Sequence, residues 1–308
     1  MKLRTMALAT QYCVGAGVEL GAASHNPFDL PDCLKVAPCD GRLFLYPQDM
    51  DDFNAYHHEQ MRTSGEVESV DLLGDFQSIA AGDGTFDYLI SSHVIEHVPN
   101  VFAAYIESSR VLRNGGVFFC IFPKRTATLY DSTRPLITVE QMVDDYEKGL
   151  DMAIMPKENW RGHYQVFSLQ SMIRAINFLN RNELGSWLIE CVEETDSKVG
   201  NGHTVVLRKF DGLISAVWQD GAAFSESFNQ LVNEGKLADA LRAIKVSLSF
   251  NFFDSEKLYL ASLLSCELGY THEGIEFLRQ ALTLDPENEG YRKEFLSLTN
   301  APYVNTVL

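Results

Sequence analysis

The sequence predicts an α/β fold: a doubly wound, mostly parallel sheet with an antiparallel edge hairpin, followed by a small all-α helical-repeat domain. Three observations carry this. Five short apolar runs alternate with polar or amphipathic stretches up to residue 123, the pattern of a sheet covered by helices on both faces. Two further runs are joined by the Gly-containing stretch "TDSKVGNG", which suits an edge hairpin. Beyond about residue 212 the strand signals stop and a 34-residue repeat begins.

In chain order, "VGAGVELGA" reads as a buried first strand running into a glycine turn. "CLKVAPCD" is a second strand ending in Asp40, and "EVESVDLL" a third ending before Asp75. "TFDYLISS" is the fourth, followed by the amphipathic helix "NVFAAYIESSRVLRN" and a fifth strand, "GGVFFCIFP". A long connection over 124–167 carries its own helix, "TVEQMVDDYEKGL", and reads as a lid over an acceptor pocket. "SWLIECVEE" and "HTVVLRKF" are the arms of the hairpin, which closes a first domain at 1–212.

The repeat domain spans 222–297. "GKLADALRAIKVSL" begins at Gly235 and "GYTHEGIEFLRQAL" at Gly269, so that Ala240 matches Gly274, Ile244 matches Leu278 and Leu248 matches Leu282. Small residues let two helices approach and larger apolar ones fill the seam. The period and these positions resemble the tetratricopeptide repeat, although Phe252 stands where Pro286 closes the second unit. Two units form a marginal solenoid, so the module is expected to pack on the first domain, on a second copy or on a protein partner.

Net charge is -17, split as about -11 up to residue 212 and -6 beyond it, so nucleic acid and anionic membranes are excluded as default partners. The strongest apolar run, "VFFCIF", is too short to span a bilayer. Six scattered cysteines without a C-x-x-C pair read as free thiols in a reducing compartment. The N-terminus lacks the apolar core of an export signal, which points to a cytoplasmic location.

Open α/β sheets bind ligands at the carboxyl ends of their strands. There the sequence places Glu19, Gly21 and Ala22 after the first strand, Asp40 after the second, and Asp75 with Phe76 after the third; Ser92 ends the fourth. Gly21 and Ala22 leave the backbone open to a ligand, Asp40 stands where a ribose diol is gripped, and Asp75 can accept from an exocyclic amine. Each also has a plain structural use, in a tight turn or a helix cap.

With the segment "GTFDYLISSHVIEHV", the step from Asp75 to Asp87 and "RVLRNGG" before the fifth strand, residues 14–210 resemble the class I S-adenosylmethionine-dependent methyltransferases. The first turn departs from the family pattern, acid-x-G-x-G-x-G, being shortened to Glu19-Leu20-Gly21-Ala22-Ala23 and followed by "SHNPF". That feature and "FPKRTATLYDSTRPLI" resemble a bacterial subset associated with surface glycans. The resemblance implies S-adenosylmethionine as cofactor, with Glu19 and Gly21 at its methionine portion, Asp40 at the ribose, and Asp75 and Phe76 at the adenine.

His93, Glu96 and His97 have the H-x-x-E-H spacing of some zinc peptidases. A strand running into His93 and Pro99 close behind leave too few residues for a metal-holding helix, so that reading is rejected. In the methyltransferase reading three roles compete. His93 is a general base on an acceptor hydroxyl; or Glu96 and His97, joined by His163, hold a divalent metal that lowers the acceptor's pKa; or Glu96 and His97 merely hold the loop by hydrogen bonds. A similar Glu-His pair is implicated in metal binding in small-RNA 2′-O-methyltransferases and ubiquinone-pathway O-methyltransferases. Lys124, Arg125, Tyr130, Arg134, Tyr146 and Trp160 lie in the lid with His163. Their cations suit a small-molecule or glycan acceptor bearing phosphate or carboxylate, such as a nucleotide sugar, and surface salt pairing accounts for the same charges equally well.

The expected activity is methylation of a hydroxyl on a sugar, nucleotide sugar or other small anionic acceptor. The alternative is a non-catalytic cofactor-sensing or scaffold protein acting through its helical repeats. A nicotinamide-dependent dehydrogenase is disfavoured because G-x-G-x-x-G is missing.

Overall fold

A computed structural model describes residues 4–24, 27–40, 43–45, 50–153, 163–210 and 221–303. Helix α1 (Arg4–Tyr12) precedes strands β1 (Gly17–Leu20) and β2 (Cys33–Ala37). Then come α2 (Met50–Ser64), β3 (Leu72–Leu73), β4 (Phe86–Ser92), α3 (Val101–Val111) and β5 (Leu112–Pro123). The short α4 (Leu129–Ser132), α5 (Val139–Glu147) and α6 (Leu169–Arg181) lead to β6 (Trp187–Glu193) and β7 (Gly202–Lys209). Helices α7 (Gly221–Asn233), α8 (Leu237–Phe250), α9 (Ser255–Glu267), α10 (Thr271–Leu284) and α11 (Glu289–Thr299) complete the described chain.

The seven strands form one sheet in the order β3-β2-β1-β4-β5-β7-β6. β1 through β5 pair in parallel, whereas β7 runs antiparallel between β5 and β6, so the predicted hairpin does form the edge. Side chains alternate across the strands. Leu89, Phe118, Cys120 and Phe122 enter the core beneath α3 and α6, and Tyr88, Ile90, Phe119 and Ile121 pack with Leu8 and Ala9 of α1 on the other face. The parallel strands are apolar on both sides because both sides are covered.

The third strand is shorter than expected. At this sheet edge only Leu72 and Leu73 pair, with Val36 and Ala37, because just before them the Asp71 side chain takes the Lys35 N–H at 2.8 Å in place of a backbone carbonyl. Glu68 N donates to the Gln60 side chain at 3.1 Å, and Asp71 N donates to Lys35 O. The second strand likewise stops at Ala37, three residues before Asp40.

Helices α9 and α10 begin and end 34 residues after α7 and α8, matching the sequence period. At the α9–α10 crossing a side chain on Gly274 would place Cβ 2.4 Å from Cys266 Sγ and 2.9 Å from Ser262 O, which explains the small residue. Ala240, Ile244, Leu248, Leu278 and Leu282 are fully buried in the same core as α6, and Phe252 is buried with them, so a ring fills the place of the absent proline.

The helices pack on the sheet through a buried polar network. Asn180 accepts from Trp187 N and donates to Trp187 O and Ser249 O, all at 2.8 Å. Ser249 Oγ accepts from Ile189 N at 2.8 Å, and Asn177 donates to Ser249 O at 2.7 Å. Lys245 of α8 lies 3.0 Å from Glu190 of β6 and 3.2 Å from Glu273 of α10. Removing one member strands several desolvated groups. Asn180→Ala is expected to cost about 2–4 kcal/mol in urea unfolding, whereas Asn182→Ala, which loses one exposed bond to Phe178 O, should cost under about 0.5 kcal/mol.

His203, at the start of β7, is buried with Nδ1 2.8 Å from Glu194 O, and burial holds its pKa down at about 4. Below the ordinary imidazole value of about 6.5 the unfolded chain takes up a proton that the folded protein refuses until about 4. Its contribution is therefore complete above that ordinary value and lost as the pH falls. Relative to wild type, His203→Gln should flatten the acid side of the stability–pH curve by up to about 3 kcal/mol, read from unfolding midpoints.

Candidate active site

β1 and β4 are adjacent, but the chain leaves β1 toward β2 and leaves β4 toward β5, so the winding direction reverses between them. A cavity of ≈ 320 Å³ opens where the carboxyl ends of β1 to β4 meet this switch point. Gly21 forms its floor. Its backbone is left-handed, at φ 67°, its N–H donates to Val36 O at 2.9 Å, and an added Cβ would come within 2.5 Å of Val94. Only glycine satisfies both the dihedral and the contact.

Of the residues predicted for the cofactor, Gly21, Ala22, Asp75 and Phe76 line this cavity. Asp75 Oδ1 accepts from Gln77 N at 2.6 Å and Ser78 N at 2.9 Å, shaping the turn after β3. Phe76 is fixed edge-on against Phe118, ring centres 5.7 Å apart. Ser92 ends β4 beside Ile121 and does not reach the cavity lining.

Glu19 and Asp40 are placed differently from their expected contacts. Val18 and Leu20 face the helix-covered core, so Glu19 between them points to the other side of the sheet. There it is 2.5 Å from Lys35 Nζ on the neighbouring strand, with burial pushing its pKa up and Lys35 opposing that rise. Asp40 is exposed, and its Oδ1 accepts from Leu43 N at 2.7 Å; Pro38 and Cys39 line the cavity instead. Tyr56, His57 and Gln60 of α2 also line it. Their spacing along one helical face was the only available signal, since no strand end announces them.

Beyond β4 the chain makes a single 3₁₀ turn, Ile95–His97, too short for a peptidase helix. His93 enters it in a left-handed conformation, φ 57°, a strained state for a non-glycine residue. Its N–H donates to Ile121 O at 2.9 Å, its side chain lines the cavity, and among the described residues its buried Nε2 has no hydrogen-bond partner. Burial lowers its pKa.

Glu96 is buried, and among the described residues neither of its carboxylate oxygens hydrogen-bonds another side chain or backbone group. Burial pushes its pKa up to about 8. Oε1 lies 3.7 Å from His93 Nδ1 and 4.0 Å from His163 Nε2. The ring of His97 meets that of His163 edge-on at 4.8 Å, and one donor atom each from Glu96, His97 and His163 lies within 4.8 Å of the others. The expectation that the Glu96 side chain holds the loop by hydrogen bonds is thus not met; its backbone carbonyl does that, accepting from Gln165 N at 3.1 Å.

His163 is held from behind. Its Nδ1 lies 2.5 Å from Asp131 Oδ2, which also accepts from Thr128 Oγ1, while Asp131 Oδ1 accepts from Arg134 at 2.9 Å. Arg134 donates further to His163 O and Tyr164 O. A carboxylate behind an imidazole fixes its tautomer and leaves Nε2 as the basic nitrogen. Sequence reasoning missed Asp131, whose partner lies 32 residues away. The long connection also reaches the cavity at the strand ends, where Met152 lines it and Leu150 O accepts from the Gln77 side chain. Trp160 lies outside the described residues.

Residues 51–120 match the family model described as a methyltransferase domain, a stretch that runs from α2 through the β3 and β4 ends into β5. Among solved structures the chain is similar to an S-adenosylmethionine-dependent methyltransferase from Methanosarcina mazei (13% identity, 67% of this chain and 98% of the other, TM-score 0.39). It is also similar to an S-adenosylmethionine-dependent methyltransferase from Thermotoga maritima described as a possible histamine N-methyltransferase (15%, 67% and 87%, 0.37) and to one from Aquifex aeolicus (10%, 67% and 90%, 0.38). No curated protein sequence matches the chain.

Gly21→Ala should abolish binding of S-adenosylhomocysteine in calorimetric titration, with a stability cost of about 1–3 kcal/mol. Adding Val94→Ala removes the side-chain clash but leaves the left-handed backbone, so it is expected to recover only part of both losses.

Proposed function

We propose that this chain is an S-adenosylmethionine-dependent methyltransferase acting on a hydroxyl oxygen of a small anionic acceptor, a sugar or nucleotide sugar being the class that suits Lys124 and Arg125 at the start of the lid. The observation that carries the reading is the cluster at the lip of the cavity: a buried carboxylate without hydrogen-bond partners from other residues, flanked by three imidazoles.

The cavity fits the cofactor. Its size falls within the range of small-molecule sites, its lining is mostly apolar, and a glycine too confined for any Cβ allows close backbone approach. When bound, S-adenosylmethionine supplies an electrophilic methyl group on sulfur. The chain's own residues then have separable tasks. Gly21 and Ala22 admit the cofactor, Phe76 offers an apolar neighbour to its base and Asp75 an acceptor. His93, its pKa lowered by burial, lines the cavity with a neutral imidazole that can take the acceptor's proton. Alignment of the acceptor oxygen with the methyl group supplies the rest.

The donor set of Glu96, His97 and His163 also fits a divalent cation, because Glu96 carries two buried oxygens that no other described residue satisfies. Such an ion would lower the pKa of an acceptor oxygen beside it. Asp131 would then serve as the outer partner that orients His163. The paired helices are inferred to be tetratricopeptide-like repeats, consistent with their 34-residue period.

The reading is tested by titration and turnover together. S-adenosylhomocysteine should bind wild type and His93→Gln alike, Asp75→Ala about tenfold more weakly, and His93→Gln should lose about 10²-fold or more in kcat. Glu96→Gln and chelation should each reduce turnover, with manganese restoring only the chelated wild type. Turnover indifferent to both would remove the metal. Binding without turnover on sugar, nucleotide-sugar and phosphorylated acceptors would favour the cofactor-sensing scaffold.

A further inference from the structure

A second cavity, of ≈ 670 Å³, lies away from the strand ends, on the flank where α5 and α6 meet the α8–α9 connection. None of its lining residues belongs to the cofactor cavity. Its side chains have an unusual balance for a chain of net charge -17. Arg174 and Arg181, both on α6, open onto it, and among the described residues neither has a carboxylate partner, although most described lysines and arginines do. Gln170 lines the same cavity, and its amide nitrogen has no hydrogen-bond acceptor.

Arg174 is held in place, its guanidinium lying 4.8 Å over the ring of Phe253 from the α8–α9 connection. Stacking on an aromatic face leaves the N–H edge of a guanidinium available to an acceptor. The carboxylate in the lining, Glu140, is already engaged by its own backbone N–H and by Thr138 at the first turn of α5. Asn177 is also committed, its amide donating to Leu248 O and Ser249 O and its oxygen accepting from Phe252 N. The charged groups left over are therefore the two guanidiniums, beside the neutral amides of Gln170 and Asn251.

We infer that this cavity binds a small molecule bearing two linked anionic groups, a diphosphate being the best fit, at the junction of the sheet domain and the helical pairs. Arg174 and Arg181 are seven residues apart on α6, about two turns or roughly 10 Å along its axis. Two long side chains across that interval match a ligand with two charged centres better than a lone phosphate. Guanidinium groups bind phosphate and carboxylate oxygens in the same forked geometry, so a dicarboxylate shares the chemistry. Because Phe253 and Asn251 line the cavity together with α6, an occupant touches both parts of the chain and should resist their separation.

The test uses the full chain and inorganic pyrophosphate, with succinate and monophosphate as parallel probes and ionic strength held constant. Calorimetry should show saturable, one-to-one pyrophosphate binding and a raised thermal midpoint. Arg174→Ala and Arg181→Ala should each weaken it about tenfold or more. Arg62→Ala, an exposed arginine on α2 paired only with Glu59, should leave it unchanged, and all three variants should bind S-adenosylhomocysteine as wild type does. Tighter binding of succinate than pyrophosphate would keep the site and identify its ligand as a dicarboxylate. Monophosphate binding as tightly as either, no saturable binding by any probe, or equal binding by the Arg174→Ala, Arg181→Ala double variant would overturn the inference. Retained S-adenosylhomocysteine binding separates that failure from any failure of the proposed activity.

Discussion

The reversal of winding between β1 and β4 is the constraint on which the rest of the structure depends. Parallel strands require crossovers, and crossovers are right-handed, so strands wound in opposite directions carry their connections apart at the point where the direction changes. The crevice left there cannot be filled by regular structure. It is floored instead by a left-handed glycine at the end of β1 and walled by the turns after β3 and β4. Every group with a chemical role in the first domain is placed by its distance from that reversal.

The end of β4 carries the most unfavourable local features of the molecule, and they coincide. A histidine is held in a left-handed conformation, a glutamate is buried without a hydrogen-bond partner from another residue, and two more imidazoles crowd the same few ångströms. An isolated site of this kind would cost several kcal/mol and would relax. It persists because its surroundings are over-determined: His93 N is tied to β5, Glu96 O to Gln165, and His163 to Asp131 and Arg134. Rigid support around an unsatisfied centre is how a protein keeps groups poised for a ligand or a reacting atom.

The helical pairs do not hang from the first domain. They cover the edge formed by β6, and the contact is made by Asn177, Asn180, Ser249, Lys245 and their partners, over an apolar core continuous with that of α6. The far side of α10 reaches the strand ends as well. Glu276 accepts from Glu194 N, and His272 meets Glu193, both at the start of the connection that precedes Gly202. That connection holds Asp196, whose charge acts on His93, so the helices buttress one wall of the site.

The sequence by itself determined the features that depend on local physics. The apolar runs became β1 to β7, because alternation and length are written into each segment, and the 34-residue period reappeared in the helix limits. Gly21, Ala22, Asp75 and Phe76 were legible for the same reason, each lying just beyond a strand end. Only the tertiary structure decided which way Glu19 points, since a strand residue one place from the turn faces the opposite side of the sheet, where Lys35 of a neighbouring strand waits. It also decided that Tyr56, His57 and Gln60 close the cavity, that Asp131 stands behind His163, and that two arginines of α6 share a cavity with the α8–α9 connection. Such pairings join residues far apart in the chain, and no periodicity or spacing within one segment encodes a distance to another.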